Sequence, residues 1–249
     1  MIKAICFDVH DTLIDKGREA GRAAGKKSVV AALSKKYPHV NEVLLDQAWQ
    51  KSLVKAQGLQ KEGREISAQE WYSEQLRHMG ITQFDDDLIK EFNQAFMLGF
   101  RPHTTVLPGA RECLQHLSDA GYRLAVVSNS LGTNTRIDLE ITGLTNFFAH
   151  IVTSSEVGWR KPHPEIFRYT LALLGVEPSE VVFVGDNPTE DIKGAIEAGM
   201  HAVAVRKARD KKISVTGGGD ANPGQFIFNG PVLDSLLDLM CVINELQKD

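Results

Sequence analysis

The chain has 249 residues, enough to bury a substantial core in one large domain or in a core domain that carries a smaller inserted one. Its 28 basic and 32 acidic residues give a formal net charge of −4, so it lacks the basic character expected of a nucleic-acid binder. No apolar run approaches membrane-spanning length, and the first strand-like segment begins at Lys3, which leaves no room for a cleavable signal. We therefore expect a cytoplasmic protein that binds neither nucleic acid nor membrane. The three cysteines are widely separated in apolar sequence and are expected to be buried, reduced thiols: Cys6, Cys113 and Cys241.

A strand-like segment from Lys3 to Val9 opens the chain, and a long helical region follows it. From Gly17 to about His103 the apolar residues recur at helical spacing with no convincing strand, which predicts a four-helix insertion. Ser67 followed three residues later by Glu70 predicts a capping box at the start of one of these helices. Four aromatic residues are expected to form the insertion's own small core rather than a ligand site: Trp49, Trp71, Phe92 and Phe96.

The rest of the chain alternates helical patterns with short β-branched runs, which is typical of a parallel sheet with helices on its faces. Gly121 and Gly199 lie where helices should end, and Pro164 where one should begin. After Val205 a surface loop is expected around the triple glycine at 217–219, and a closing helix from Pro231 to Leu246. The predicted strands after the insertion are Tyr122 to Val127, Ile151 to Thr153, Val181 to Val184 and Ala202 to Val205. The fold class is therefore α/β, with a Rossmann-like core formed by residues 1–16 and 104–249 and an inserted helical domain at 17–103.

Polar residues follow four of the predicted strands. Ligands of open parallel sheets bind at the carboxyl ends of the strands, so these residues are expected to meet. Together they supply carboxylates, a hydroxyl group and an ammonium group, a set that can hold a divalent cation and an oxyanion at once. The strand-end residues are Asp8, His10 and Thr12 after the first strand, Ser128 and Asn129 after the second, Lys161 after the third, and Asp186 and Asp191 after the fourth.

In this order the motifs resemble those of the haloacid dehalogenase-like superfamily, which has an Asp-x-Asp-x-Thr loop, a Ser/Thr loop, a Lys and a Gly-Asp-x-x-x-x-Asp loop. The passage from Ser154 to Phe167 is similar to that of its phosphatase-like and dehalogenase-like subgroups. The resemblance covers the whole chain, and the insertion is similar to the family's helical cap of the first type. It implies a Mg²⁺-dependent phosphatase that acts on a small phosphorylated molecule.

The resemblance also implies roles for the strand-end residues. Asp8 would be the nucleophile and a metal ligand. The backbone carbonyl of His10 and the carboxylate of Asp186 would complete the protein's direct share of the metal sphere, with Asp191 near it.

On the substrate side, Ser128 would donate a hydrogen bond to a transferring oxygen, with Asn129 alongside. Lys161 would neutralise charge shared by the phosphoryl group and Asp8, and Thr12 would shape the loop and support Asp8.

His10 departs from the family pattern, because most family phosphatases carry a second Asp there, which protonates the leaving oxygen and later activates water. Two interpretations stay open: the imidazole performs both proton transfers, or His10 contributes only its backbone carbonyl. Asp11 stands where the family usually has Gly. We expect it to be a turn residue whose side chain faces away from the site; the alternative is that its carboxylate tunes His10.

Two other functions compete with the phosphatase. A 2-haloacid dehalogenase would use Asp8 on carbon without a metal and also lacks the second Asp, but Asp186 and Asp191 would repel a haloacid carboxylate. The third is a weakly active phosphate-binding or scaffolding protein that keeps the fold. The sequence indicates neither the substrate, nor the cap residues that select it, nor the oligomeric state.

Overall fold

A computed structural model describes residues 1–206, 226 and 228–248 of the chain. Six strands form one parallel sheet in which the first strand lies in the centre, and two short strands form an antiparallel pair. The strands are β1 (Ala4–Phe7), β2 (Ile14–Asp15), β3 (Thr105–Val106), β4 (Arg123–Ser128), β5 (His150–Thr153), β6 (Val181–Gly185), β7 (His201–Val205) and β8 (Val232–Leu233). The sheet order is β5-β4-β1-β6-β7-β8, which confirms the predicted α/β fold with a parallel core.

Both faces of the sheet are covered, which explains why the central strands β1 and β6 are apolar throughout. Along β1 successive side chains point to opposite faces: Ile5 and Phe7 pack into one hydrophobic cluster, and Ala4 and Cys6 into another. The helices are α1 (Arg18–Leu33), α2 (Glu42–Lys61), α3 (Ala68–His78), α4 (Asp86–Phe100), α5 (Ala110–Asp119), α6 (Gly132–Ile141), α7 (Ser154–Val157), α8 (Pro164–Leu174), α9 (Gly194–Glu197) and α10 (Leu239–Leu246). In the described part of the chain, no helix has both the length and the apolar character needed to cross a bilayer.

Helices α1 to α4 form a bundle, here called the helical insert, between β2 and β3. These two strands pair antiparallel, so the chain leaves the sheet and returns to it at one place. The insert has a hydrophobic cluster of its own that includes Trp71, Phe92 and Phe96. Ser67 caps α3 by accepting a hydrogen bond from the backbone of Glu70, while the Glu70 carboxylate pairs with Lys55 at 2.7 Å.

Close contact between α1 and α4 depends on glycines. A Cβ atom on Gly99 would lie 2.2 Å from the backbone nitrogen of Gly25, and a Cβ on Gly25 would lie 2.7 Å from the carbonyl oxygen of Phe96. Backbone atoms cannot yield as flexible side chains do, so the absence of side chains at these positions sets how closely the two helices approach.

The carboxyl-terminal region differs from the prediction. The closing helix begins at Leu239 rather than Pro231, because Val232 and Leu233 pair with β7 as an edge strand. Cys6 and Cys113 are buried thiols as expected, but Cys241 is exposed, since α10 turns Leu239 and Ile243 toward the core instead. The triple glycine at 217–219 lies outside the described residues.

Replacing Gly99 with alanine should destabilise the fold by about 1–3 kcal/mol, because the added methyl group meets the backbone of α1. Urea unfolding followed by circular dichroism measures the change. Gly58→Ala is the matched control: it lies in α2 with nothing within 4 Å of its Cβ position, so it should stabilise the protein by about 0.5–1 kcal/mol. Equal stability of Gly99→Ala and wild type would contradict the packing argument.

Candidate active site

The central strands bring three functional loops to one edge of the sheet. Because β1 pairs with both β4 and β6, the residues after these three strands are neighbours. Asp8 directly follows β1 and its backbone nitrogen donates to Val184 of β6 at 2.9 Å. Ser128 ends β4 and Asp186 follows β6, and both are buried.

The ammonium group of Lys161 lies at the centre of this edge. Its side chain is 1% exposed. Nζ lies 2.8 Å from Asp8 Oδ1 and 2.7 Å from Asp191 Oδ1, and it donates a hydrogen bond to the carbonyl oxygen of Val127 at 2.7 Å. Burial opposes the charged form, but the neighbouring carboxylates of Asp191 and Asp8 outweigh it and hold the pKa of Lys161 above its ordinary value. Lys161 is therefore a fixed ammonium group against the carboxylate of Asp8.

Asn129 fixes the backbone that carries this lysine. Its side-chain amide donates to the carbonyl oxygen of Lys161 at 2.9 Å and accepts from the backbone nitrogen of Lys161 at 2.7 Å. Both ends of the Asn129 amide are thus engaged by the loop of Lys161.

Asp8, Asp186 and Asp191 form a buried acidic cluster whose oxygens lie within 4.8 Å of one another. Burial raises the pKa of Asp8 to about 7; Lys161 opposes this rise, and the charges of Asp191 and Asp186 reinforce it. One ammonium does not balance three carboxylates, and oxygen ligands of this kind are those that hard divalent cations prefer. The donor set therefore fits a divalent cation.

Two contacts distinguish the members of the acidic cluster. Asp191 uses both oxygens inside the protein, because Oδ1 faces Lys161 and Oδ2 accepts from the backbone of Asn187 at 2.9 Å. Asp186 Oδ1 accepts a hydrogen bond from Thr12 Oγ1 at 3.2 Å. Thr12 thus orients Asp186, whereas the sequence suggested support for Asp8.

His10 is held by a buried carboxylate of α6. Its Nε2 lies 2.9 Å from Asp138 Oδ2, and Lys16 Nζ donates to the same oxygen at 2.6 Å. Burial acts against the charged form of Asp138, yet the hydrogen bond from His10 and the charge of Lys16 keep its pKa below the ordinary value. An ionised carboxylate only accepts hydrogen bonds, so Nε2 carries the proton that points to Asp138 and the ring orientation is defined.

Burial lowers the pKa of His10, with Asp138 opposing the shift and Lys16 adding to it. The other oxygen of Asp138, Oδ1, is buried and has no hydrogen-bond partner among the described residues.

Asp11 adopts a turn conformation with φ of +66°, in the left-handed region that favours glycine. Its carboxylate lies 2.6 Å from the guanidinium group of Arg18 at the start of α1. The conformation explains why family members usually carry Gly at this position.

The helical insert contacts the loop that carries Lys161. The backbone of Glu65 donates to Gly158 at 3.1 Å, and the backbone of Arg160 donates to Gly63 at 3.0 Å. The Arg160 guanidinium group also lies 3.2 Å from Glu65 of the insert and 3.1 Å from Glu190 of the acidic loop. The residue next to Lys161 therefore joins the insert to the core.

Asp138, Lys16 and Arg160 were not among the site residues predicted from the sequence. The sequence pattern could have predicted that Asp138 is buried, because Thr135, Asp138 and the C-cap residue Thr142 recur at helical spacing on the buried side of α6. An acidic residue at an inward helical position requires a partner. Nothing in the local pattern identified His10, 128 residues away, as that partner.

Comparison with known proteins agrees with the geometry of the site. A family model described as haloacid dehalogenase-like hydrolase matches residues 2–199, and this chain belongs to that family of hydrolases. It is 33% identical over 216 residues to a glyceraldehyde 3-phosphate phosphatase of Methanothermobacter thermautotrophicus, covering 82% of this chain and 86% of that protein.

Two solved structures resemble the whole chain. A haloacid dehalogenase-like phosphatase from Thermococcus onnurineus superposes with a TM-score of 0.65 at 25% identity, covering 97% of this chain and 98% of the other. A 2-haloacid dehalogenase from Pseudomonas syringae pv. Tomato superposes with a TM-score of 0.70 at 22% identity, covering 98% and 99%. The second likeness concerns the fold alone.

Replacing Lys161 with methionine should lower the free energy of unfolding by about 3–5 kcal/mol in the presence of a chelator, because Asp8 and Asp191 lose their buried cation. Urea denaturation measures this. Lys3→Met is the control, since it breaks the exposed pair with Glu180 and should leave stability nearly unchanged. A Lys161→Met protein as stable as Lys3→Met would show that the buried pair does not stabilise the fold.

Proposed function

We propose that the protein is a Mg²⁺-dependent phosphatase of a small phosphorylated molecule, with Asp8 as the nucleophile. The observation that carries the proposal is the buried cluster of Asp8, Asp186 and Asp191 opposite Lys161, which has more negative charge than one ammonium group balances. The relative from Methanothermobacter thermautotrophicus, a glyceraldehyde 3-phosphate phosphatase, supports the same reaction class.

The reaction proceeds in two displacements. An oxygen of Asp8 attacks the phosphorus atom, the bond from phosphorus to the leaving oxygen breaks, and an aspartyl-phosphate forms. Water then attacks that phosphorus atom, which releases inorganic phosphate and regenerates the carboxylate. Lys161 attracts the phosphate dianion and offsets its repulsion by Asp8, and Ser128 donates a hydrogen bond to a transferring oxygen.

Asp8, the backbone carbonyl of His10, and Asp186 would hold the magnesium ion, with Asp191 beside them. When bound, the ion supplies charge that reduces the repulsion between the attacking carboxylate and the phosphate. Asp191 acts indirectly by fixing the ammonium group of Lys161. Thr12 acts indirectly by orienting the carboxylate of Asp186.

His10 serves as the proton carrier at the position where family phosphatases have Asp. One proton must reach the leaving oxygen in the first displacement, and one must leave the attacking water in the second. A single group at this position suffices for both: the imidazolium gives the Nδ1 proton to the leaving oxygen, and Nδ1 of the resulting neutral ring accepts a proton from the attacking water, while the Nε2 proton stays hydrogen-bonded to Asp138. Asp138 and Lys16 hold the imidazole ring in one orientation for these transfers.

The dehalogenase alternative is disfavoured by charge. A haloacid brings a carboxylate to a site whose acidic cluster would repel it. Turnover of a phosphate ester also separates a phosphatase from a protein that only binds phosphate.

Removal of divalent cations should abolish phosphate release, and added Mg²⁺ should restore it, because Asp8 and the phosphate repel each other without the ion. The assay measures inorganic phosphate with and without EDTA, beside a 2-chloropropionate reaction assayed for chloride. Asp186→Asn should lower kcat at least roughly 100-fold, whereas Asp87→Asn, on the exposed face of the insert, should have no effect. Chloride release that persists in EDTA would instead establish a dehalogenase.

Loss of the imidazole in His10→Ala should lower kcat roughly 10²–10⁴-fold for alkyl phosphates and shift the pH dependence of turnover. With acetyl phosphate, whose leaving group needs no proton, formation of the aspartyl-phosphate should be nearly unaffected, and only its hydrolysis should slow. His10→Asp should restore or raise generic phosphatase activity.

Asp138→Asn should lower kcat by a smaller factor than His10→Ala does, with KM unchanged, since it disturbs only the orientation of the His10 ring. Unchanged rates and pH profile in His10→Ala would leave His10 with its backbone role alone.

A further inference from the structure

A cavity of about 250 Å³ lies between the helical insert and the core loops that follow β4 and precede Lys161. We propose, on the basis of the phosphatase function, that it receives the leaving group of the substrate. This leaving group is an uncharged alcohol with an apolar ring or a branched hydrocarbon chain, and it carries no carboxylate or second phosphate.

The cavity is bordered by residues that adjoin the proposed phosphate site. Its lining includes Asn129, which follows Ser128 and holds the backbone of Lys161, and Arg160, which precedes Lys161. The proposal places the leaving group of a phosphate ester bound at Asp8 and Lys161 on this side of the site, where most of the cavity lining belongs to the insert.

Those walls are mainly apolar and aromatic. The Trp49 ring stands at 90° to Trp71 with centroids 5.2 Å apart, and its centroid lies 5.3 Å from that of Phe96. The sequence indicated that these aromatic residues form only the core of the insert. Phe92 does so, being fully buried, but the other three also line the cavity. The apolar lining residues of the insert are Trp49, Leu53, Ala56, Ile66, Trp71 and Phe96, and Leu131 adds an apolar group from the core.

The charges in the lining are already matched. Arg160 and Glu65 are the charged lining residues in the described part of the chain, and they pair with each other at 3.2 Å. Arg160 also pairs with Glu190 at 3.1 Å, so two carboxylates surround one guanidinium group. A substrate carboxylate would find no unpaired cation for a bidentate contact and would meet negative charge instead.

Size and polar groups narrow the class further. An apolar protein cavity of about 150 Å³ accepts benzene, so a volume of 250 Å³ suits a group of roughly six to ten carbon atoms. Tyr72 lies in the lining with its hydroxyl group 2.7 Å from Asn93 and 3.1 Å from Asn134. Both of its partners are amide side chains, so this part of the lining is polar but uncharged.

Hydrolysis of matched phosphate esters by the full-length protein with Mg²⁺ tests the proposal. Benzyl phosphate should give a kcat/KM at least about tenfold above phosphoserine, phosphoglycolate and glyceraldehyde 3-phosphate, as expected for an apolar pocket. Acetyl phosphate, which does not need the cavity, reports the phosphatase reaction itself.

Two pairs of variants test the lining. Ala56→Phe fills the cavity and should lower the ratio of benzyl phosphate to acetyl phosphate turnover about tenfold through KM, whereas Val54→Phe, exposed on the same helix, should not. Gln60→Arg adds a cation to the lining and should raise kcat/KM for phosphoserine at least about tenfold, while Gln60→Leu should not. Circular dichroism checks that each variant is folded. If Ala56→Phe does not fold, the comparison of Gln60→Arg with Gln60→Leu tests the proposal.

A wild-type preference for any of the three competing esters over benzyl phosphate would overturn the proposal. Equal losses with benzyl and acetyl phosphate in folded Ala56→Phe would also overturn it, as would no gain with phosphoserine in Gln60→Arg. If acetyl phosphate itself is not hydrolysed with Mg²⁺, the phosphatase function fails and this inference fails with it.

Discussion

The ion pairs of buried Lys161 with Asp8 and Asp191 organise this protein's site. Burying an ammonium group is costly unless its hydrogen bonds and its charge are both matched, and here two carboxylates and the carbonyl oxygen of Val127 match them. Because these partners lie at or after the ends of three neighbouring strands, the pairing requires β1, β4 and β6 to be paired. The same arrangement leaves excess negative charge, which makes a cation a natural component of the site. Fold and proposed chemistry thus depend on one electrostatic contact.

The helical insert is attached to the loop of this lysine. Arg160 bridges Glu65 of the insert and Glu190 of the acidic loop, and its backbone pairs with Gly63. Under the proposed function, the carboxyl ends of the strands would hold the phosphoryl group, and the insert would surround the part of the substrate that varies. Since the guanidinium group of Arg160 is already paired with two carboxylates, selection of the leaving group would depend on the apolar walls.

His10 and Asp138 show how a departure from a family pattern is accommodated. An imidazole is larger than a carboxylate and needs an orienting partner, which α6 supplies through Asp138 with Lys16 balancing its charge. The substitution is therefore accompanied by a buried polar network that a backbone-carbonyl role alone would not require. Asp11, the residue after His10, adopts a left-handed turn conformation.

The sequence alone determined the α/β class, five of the eight described strands and the end of the sheet where polar residues meet, because strand burial on two faces and the carboxyl-end rule leave local patterns. It also identified the start of α8 at Pro164. Only the tertiary structure decided that Asn129 binds the backbone of Lys161 and that Thr12 binds Asp186. It also decided that Asp138 holds His10 and that three aromatic residues of the insert line a cavity. It likewise decided that Val232 and Leu233 form an edge strand. The reason is physical: periodicity reports which side of an element faces inward, whereas the partner of each inward side chain depends on how distant elements are placed against one another.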